Sequence, residues 1–155
     1  MDAVIKFNSE QWTIILNKLT MRMRDVKPYL KTAYATIGFK DIIAHFREET
    51  GPEGKWKPRS PETQRHYALM GKHNSMYNPS NKLLQLSGNL RDSILPANTK
   101  DNGVNSIVVF ANSPVGGYHN DPQSPRMPKR EFMWLSDSAK HNMAKMIANL
   151  IVESL

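Results

Sequence analysis

The order of hydrophobic patterns along the chain constrains its fold more than any other feature. Apolar residues recur at helical spacing through residues 12–46 and again through residues 143–151. Between these regions, from Ser93 onward, the pattern changes to short β-rich runs bounded by turn residues. Helical segments that flank a group of strands predict an α+β domain, in which the helices pack against a small antiparallel sheet.

Two helices are predicted before residue 51. Asn8 is a suitable N-cap for the first helix, and Phe7 and Trp12 have the spacing of a hydrophobic staple. Pro28 is expected to end or kink this helix near Lys27. The apolar positions of the first helix are Trp12, Ile15, Leu16, Leu19, Met23 and Val26.

The second helical run is expected to end at Gly51 and Pro52. Gly38 has a low helix propensity and argues against one unbroken helix. Residues 51–61 contain three prolines and two glycines, so a loop is predicted there. The buried face of the second run is expected to consist of Leu30, Ala33, Tyr34, Ile37, Ile42 and Phe46.

A third helix is predicted to begin at Pro61, with Ser60 as its N-cap, and to end near Met70. The polar segment 71–81 is expected to be irregular. Near the end of the chain, Ser136 or Asp137 is expected to cap the last helix. The apolar stripe of that helix is Met143, Met146, Ile147, Leu150 and Ile151.

The strands are predicted between these helices. The turn sequence at residues 101–103 separates candidate strands at Ser93–Asn98 and Asn105–Asn112, which indicates a hairpin. Residues 113–129 contain four prolines and two glycines and are predicted to form a long loop. Glu131–Leu135 is a candidate third strand.

Length and composition bound the remaining possibilities. A chain of 155 residues is long enough to form a single domain over residues 1–155 with a substantial core. Because the chain has no cysteine, disulfides and thiolate metal sites are excluded. The start of the chain does not have the pattern of a signal peptide, and no apolar run is long enough to cross a bilayer. We therefore expect a soluble protein made in the cytoplasm, without a membrane partner.

The positive charge is concentrated in the middle third of the chain. Residues 51–100 carry eight lysines and arginines against three acidic residues, whereas the whole chain has a net charge of +7. One interpretation is a surface that faces nucleic acid or an acidic protein. The alternative is a solvated basic face without a dedicated ligand.

The sequence contains no recognisable catalytic motif. It has no nucleophile elbow and no phosphate-binding loop, and dispersed carboxylates alone do not indicate a nuclease. His45 has helical spacing to Asp41 and Glu48, but an exposed helix face produces the same spacing, and we favour that interpretation. His119 lies in a predicted loop without spaced ligand partners. The expectation is a protein that is not an enzyme and that has no metal or cofactor.

The segment Lys55–Arg59 has an aromatic residue between cations. Trp56 could stack on a nucleobase, or it could fold back onto the helices as a packing anchor, which we favour. Arg126, Lys129 and Arg130 either line an anionic surface or add charge to an edge strand. The candidate residues facing a partner or DNA are Lys55, Trp56, Lys57, Arg59, Arg65, Arg91, Arg126, Lys129 and Arg130.

The segment Ser87–Gly88 has a local structural explanation. Glycine permits a left-handed turn that would end one segment and direct Leu90 and Ile94 into the core. Phe132 is expected to be buried beyond Pro128. The candidate scaffold residues are Ser87, Gly88, Leu90, Ile94 and Phe132.

Three segments occur in a fixed order: Phe46–Pro58, Leu83–Ile94 and Pro128–Leu135. In this order they resemble the virion-morphogenesis family of tailed phages, of the Mu-like tail-completion, neck or tail-terminator type. The resemblance covers residues 37–155. It departs from the family pattern at residues 117–120, where histidine directly follows tyrosine.

This resemblance implies a structural protein of the virion rather than an enzyme. Copies of the chain would form a ring at the head–tail junction, assembled in the host cytoplasm, and would complete the tail. The implied partners are other copies of the chain, the tail tube, the head-completion or connector proteins and the genomic DNA in the lumen. The alternative is a free-standing basic DNA-binding protein.

Overall fold

The fold is described from a computed structural model, which covers residues 9–72, 82–84, 88–120 and 128–153. The predicted cap at Asn8, the staple between Phe7 and Trp12, and most of segment 71–81 lie outside the described residues and side chains. None of the helices described in these ranges is long and apolar enough to span a membrane.

The described elements are helices and two short β-hairpins, which confirms the predicted α+β class. The helices are α1 (Ser9–Met23), α2 (Lys27–Ala33), a π-helical segment (Tyr34–Gly38), α3 (Phe39–Glu48), α4 (Pro61–Met70), α5 (Asn89–Asp92), α6 (Gly116–Asn120) and α7 (Asp137–Glu153). The strands are β1 (Thr50–Gly51), β2 (Gly54–Lys55), β3 (Thr99–Asp101) and β4 (Ile107–Val109).

The strands form two separate antiparallel pairs instead of one sheet. Strand β1 pairs with β2, with Thr50 opposite Lys55, and β3 pairs with β4, with Thr99 opposite Val109. The predicted hairpin at residues 101–103 is therefore confirmed, but it is shorter than expected. Ser93–Asn98 precedes the first of its strands and is not itself a strand.

Pro28 lies in the first turn of α2, so the prediction that it ends the first helix is wrong. Helix α1 already ends at Met23, and Pro28 suits the start of the next helix because the first N–H groups of a helix need no helical partner. From Lys27 to Glu48 the chain is continuously helical, with Gly38 at the end of the π segment.

Gly38 allows a close contact between the π segment and α7. A Cβ atom at this position would lie 2.9 Å from Cδ2 of Tyr34 and 3.2 Å from Sδ of Met143. The low helix propensity of glycine is accepted here because a larger residue would crowd the side chains of Tyr34 and Met143.

Helix α3 ends at Glu48, earlier than the predicted stop at Gly51 and Pro52. Glu49 has the left-handed conformation with φ of 55°, and its carboxylate accepts a hydrogen bond from the backbone N–H of Leu83. The hairpin β1–β2 follows directly, where the sequence predicted only a loop.

The start of α7 was correctly predicted. The Oγ atom of Ser136 accepts a hydrogen bond of 3.1 Å from the backbone N–H of Ala139, as an N-cap does. Two further predictions in this part of the chain are wrong. Glu131–Leu135 contains no strand, and the predicted long loop 113–129 contains α6.

The core is formed by residues from distant parts of the chain. The ring centroids of Phe46 and Phe132 are 5.1 Å apart, and Trp56 packs against Phe46 edge to face at 5.9 Å. Gly88 has a φ of 80°, as expected for a left-handed turn, and Leu90 and Ile94 beyond it are buried. The buried cluster consists of Tyr34, Ile42, Phe46, Trp56, Leu83, Leu90, Ile94 and Phe132. Ser87 is outside the described residues.

Candidate anion-binding cleft

Trp56 belongs to the core and is not a surface residue. Its side chain is 7% exposed, and its Nε1 atom donates a hydrogen bond of 3.1 Å to the carbonyl oxygen of Glu131. The packing alternative is therefore the one that the structure shows. The indole holds the chain after β2 against the segment that precedes α7, and it offers no exposed face to a nucleobase.

Arg130 is buried beside the same segment. It is 9% exposed, and its guanidinium donates to the carbonyl oxygens of Lys57 at 3.2 Å and Pro58 at 3.5 Å. Its backbone N–H donates to the carbonyl oxygen of His119 at the end of α6. Because Arg130 is not in a strand, the alternative in which it adds charge to an edge strand is wrong.

Arg59 lies close to Arg130, directly before the N-cap of α4. Its guanidinium is 5.0 Å from the ring centre of Tyr67, and one Nη atom donates to the carbonyl oxygen of Lys82 at 3.0 Å. Helix α4 begins as predicted, with the Oγ atom of Ser60 accepting a hydrogen bond from the N–H of Thr63. This cap places Tyr67 two turns along α4, on the side of Arg59.

These residues surround a cleft of about 1010 Å³ between α4, α5 and α6. The polar and charged residues among the described lining are Lys57, Arg59, Ser60, Thr63, Tyr67, Asn89, Asn112, Ser113, His119 and Arg130. No aspartate or glutamate is among the described residues that line the cleft. The charged side chains among the described lining are therefore all cationic, which favours an anionic ligand.

Burial and mutual repulsion both act on the charges of the cleft. Burial lowers the pKa of Arg130, and the nearby charge of Arg59 lowers it further, whereas Tyr67 and Glu49 raise it. Burial also lowers the pKa of His119, with a smaller contribution from Arg130. The Nδ1 atom of His119 is buried and has no hydrogen-bond partner among the described residues. For both groups burial is the larger cause, and the repulsion between neighbouring cations adds to it.

The other predicted interface residues lie outside the cleft. Arg91 is paired with Asp92 at 2.7 Å, and Lys129 is paired with Glu131 at 2.7 Å. Arg65 is exposed on α4. Lys55 is also exposed, on β2, and its Nζ atom donates to the carbonyl oxygen of Glu48. Arg126 is outside the described residues. Of the predicted set, the structure brings together Lys57, Arg59 and Arg130.

His45 was interpreted from the sequence as part of an exposed helix face, and this interpretation is wrong. The imidazole is 4% exposed and stacks on Trp134 with the ring centres 4.2 Å apart. Its Nδ1 atom donates to the carbonyl oxygen of Phe132, and its Nε2 atom lies 3.6 Å from a carboxylate oxygen of Asp41. Among the described residues, no group of three histidines, cysteines or carboxylates is placed to hold a metal ion.

Sequence reasoning did not identify Tyr67 and His119 as residues of the cleft. Tyr67 was detectable in principle, since the cap at Ser60 fixes the phase of α4 and hence the side that faces Arg59. His119 had no such signal because α6 was not predicted.

Comparison with known protein families, with curated proteins and with solved structures found no match. The cleft is therefore interpreted from its own geometry and charge.

Proposed function

We propose that the chain is a structural protein of tailed-phage assembly, which completes the tail and forms part of the head–tail junction as a ring of identical copies. In this proposal it works in the virion after assembly in the host cytoplasm, and it acts by contact without catalysing a reaction.

One observation carries this proposal: the three segments that resemble the phage family meet in one core. Trp56 comes from the first segment, Leu90 and Ile94 come from the second, and Phe132 comes from the third, and all are buried in one cluster. Segments that are far apart in sequence but pack together are expected to be kept as a set by any protein with this fold. The three segments thus act as one structural unit in this chain, which is the arrangement that the proposal requires.

The surface of α1 supports self-association. The apolar stripe of a helix is normally buried against the rest of its domain. Here Ile14, Leu16 and Met23 are each 56% exposed and Met21 is 65% exposed. A run of exposed large apolar side chains on one helix is typical of a surface that another protein covers. We assign that cover to a second copy of the chain, which a ring requires.

A closed ring needs two different patches on each copy, one for each neighbour. In the proposal α1 supplies one of these two contacts between copies. Separately, the cationic surface around the cleft faces the tail tube, the head-completion or connector proteins, or the DNA that passes through the lumen. Contacts to DNA would involve the phosphate backbone and would not read sequence.

The proposal is tested by deleting the gene from the parent phage and viewing the lysate by electron microscopy. We expect full heads beside separate tails, some of abnormal length. The matched control is the same deletion with the wild-type gene supplied on a plasmid, which should restore joined virions. Normal virions from the deletion strain would refute the assembly role.

The exposed cations Lys55, Lys57 and Arg65 favour one alternative, a free-standing DNA-binding protein. Such a protein would bind duplex DNA as a monomer, with an affinity that falls steeply as the salt concentration rises. A ring component would bind DNA only after assembly. Titration of labelled duplex against the monomer at several salt concentrations distinguishes the two functions.

A further inference from the structure

The hydrogen bonds that Arg130 makes within the protein use only some of the donors of its guanidinium group. Its guanidinium makes two hydrogen bonds, both to backbone carbonyls, and its other N–H groups have no partner among the described residues. No carboxylate in the described part of the chain lies within 4.0 Å of it. A buried arginine is normally paired with an anion because an isolated charge is costly to bury. Among the described residues Arg130 has no anion within 4.0 Å, and the carboxylate of Glu49 acts on its charge only from a greater distance.

The cleft next to Arg130 combines cations with apolar walls. Lys57 and Arg59 line the same cleft, both in the segment between β2 and α4. The apolar side chains of its walls are Pro58, Leu83, Leu84, Leu90, Pro114, Val115 and Pro128. A ligand that fits this cleft therefore carries negative charge at one place and apolar groups beside it.

We propose that the cleft binds an extended acidic peptide segment of a partner protein. A carboxylate of the segment pairs with the guanidinium groups of Arg130 and Arg59, while the flanking apolar side chains pack against Leu83, Leu90 and Val115. The proposal rests on the proposed assembly function, which makes the partner a protein of the virion.

The geometry favours a peptide over nucleic acid. Duplex DNA is bound mainly by exposed lysines and arginines that reach its phosphates from the surface. Arg130 is nine-tenths buried, so only a narrow group that enters the cleft can reach it. A phosphate backbone would also leave the apolar walls without a partner, whereas a peptide carries apolar side chains beside its carboxylates. Arginine and carboxylate groups form bidentate hydrogen bonds with well-matched geometry.

The test uses fluorescein-labelled peptides in which one aspartate is flanked by leucine, valine or phenylalanine. Binding to the full chain is measured by fluorescence anisotropy, with the matched asparagine peptides and a labelled DNA duplex as comparisons. We expect the aspartate peptides to bind at least about tenfold more tightly than the asparagine peptides, because hydrogen bonds to charged groups are the stronger ones.

Arg130 also donates hydrogen bonds to two backbone carbonyl groups, so its replacement would disturb the structure of the cleft itself. The informative variant is therefore Lys57→Gln with Arg59→Gln, and its folding is checked by circular dichroism. The matched control is Lys140→Gln with Lys145→Gln, which removes the same charge from exposed positions on α7. We expect the first variant to lose at least about tenfold in peptide affinity and the control to bind like the wild type.

Equal binding of aspartate and asparagine peptides would overturn the proposal. Binding of the duplex but not of the peptides, lost in the same cleft variant, would assign the cleft to nucleic acid and would also overturn it. If deletion of the gene prevents head–tail joining while no aspartate peptide binds, the cleft assignment fails and the assembly role stands.

Discussion

Asp41 in α3 accepts two hydrogen bonds from Ser136, one from its backbone N–H and one from its hydroxyl group, both of 2.8 Å. The same hydroxyl oxygen caps α7 by accepting the N–H of Ala139. One carboxylate therefore fixes where α7 begins and attaches that end of the helix to α3.

Replacement of Asp41 by alanine should lower the free energy of unfolding by about 1–3 kcal/mol. The change leaves the N–H of Ser136 without its partner and removes the group that orients the capping hydroxyl. Urea unfolding followed by circular dichroism measures the loss. Glu53→Ala, at an exposed position in the turn between β1 and β2, is the control and should change the free energy by less than about 0.5 kcal/mol. Equal effects of the two variants would contradict the role of Asp41.

Gly38→Ala should destabilise the fold by about 1–3 kcal/mol, although alanine has the higher helix propensity. The added methyl group would lie 2.9 Å from the ring of Tyr34 in the same π segment and 3.2 Å from the sulfur of Met143 on α7, so these tightly packed side chains must shift. Gly117→Ala in α6 is the matched control because a Cβ atom there has no neighbour within 4 Å. Thermal unfolding of both variants makes the comparison. A Gly38→Ala protein as stable as wild type would show that this contact tolerates a larger residue.

His119 should make the fold less stable in mild acid. Burial lowers the pKa of His119 in the folded state, so below the ordinary pKa of about 6.5 the unfolded chain binds a proton that the folded chain resists. Stability is therefore fully present above that pKa and is lost as the pH falls towards the lowered folded-state value.

The measurement is urea unfolding at several pH values between about 7.5 and 5, for the wild type and for His119→Gln. The variant should lose less stability over this interval. His141→Gln, at an exposed position on α7, should retain the wild-type pH dependence. An unchanged pH dependence in His119→Gln would mean that the half-buried imidazole does not contribute.

Leu16→Asp in α1 should abolish self-association without unfolding the monomer. Leu16 is 56% exposed, so a carboxylate at this position remains solvated in the monomer but would be buried in an interface between copies. Analytical ultracentrifugation over a range of concentrations measures the oligomeric state. The matched control is Leu69→Asp on α4, where the leucine is 62% exposed. Self-association of Leu16→Asp at the wild-type concentration would exclude this face of α1 as the contact.

The features that the sequence predicted well are those with local causes. Ser60 and Pro61 start α4 because cap and proline preferences act within one turn. Ser136 starts α7 for the same reason. The turn at residues 101–103 likewise lies inside its hairpin, between two β-rich runs.

The errors occurred where distant residues decide the conformation. Glu49 takes the left-handed position at the end of α3, in place of Gly51, and its carboxylate is bound by Leu83 far along the chain. The sequence of the segment Glu131–Leu135, before α7, predicts a strand. In the structure its backbone groups form hydrogen bonds with side chains and not with a neighbouring strand. The N–H groups of Phe132 and Met133 both donate to the side-chain oxygen of Asn120. No pattern in a local window contains those partners.

The cleft could be predicted only in part for the same reason. The cations Lys57 and Arg59 were evident from the charge of the middle third. The burial of Arg130 depends on carbonyl groups more than seventy positions earlier in the chain, and these became neighbours only in the folded protein.

The side chains of Trp56 and Arg130 connect the same two segments of the chain by hydrogen bonds that run in opposite directions. The tryptophan reaches the backbone of Glu131, and the arginine reaches back to the backbone of Lys57 and Pro58. These crossed side chains fasten two extended segments that share no ladder of backbone hydrogen bonds. The wall of the cleft and the segment that precedes α7 are consequently connected to each other. We expect a displacement of either one to move the other.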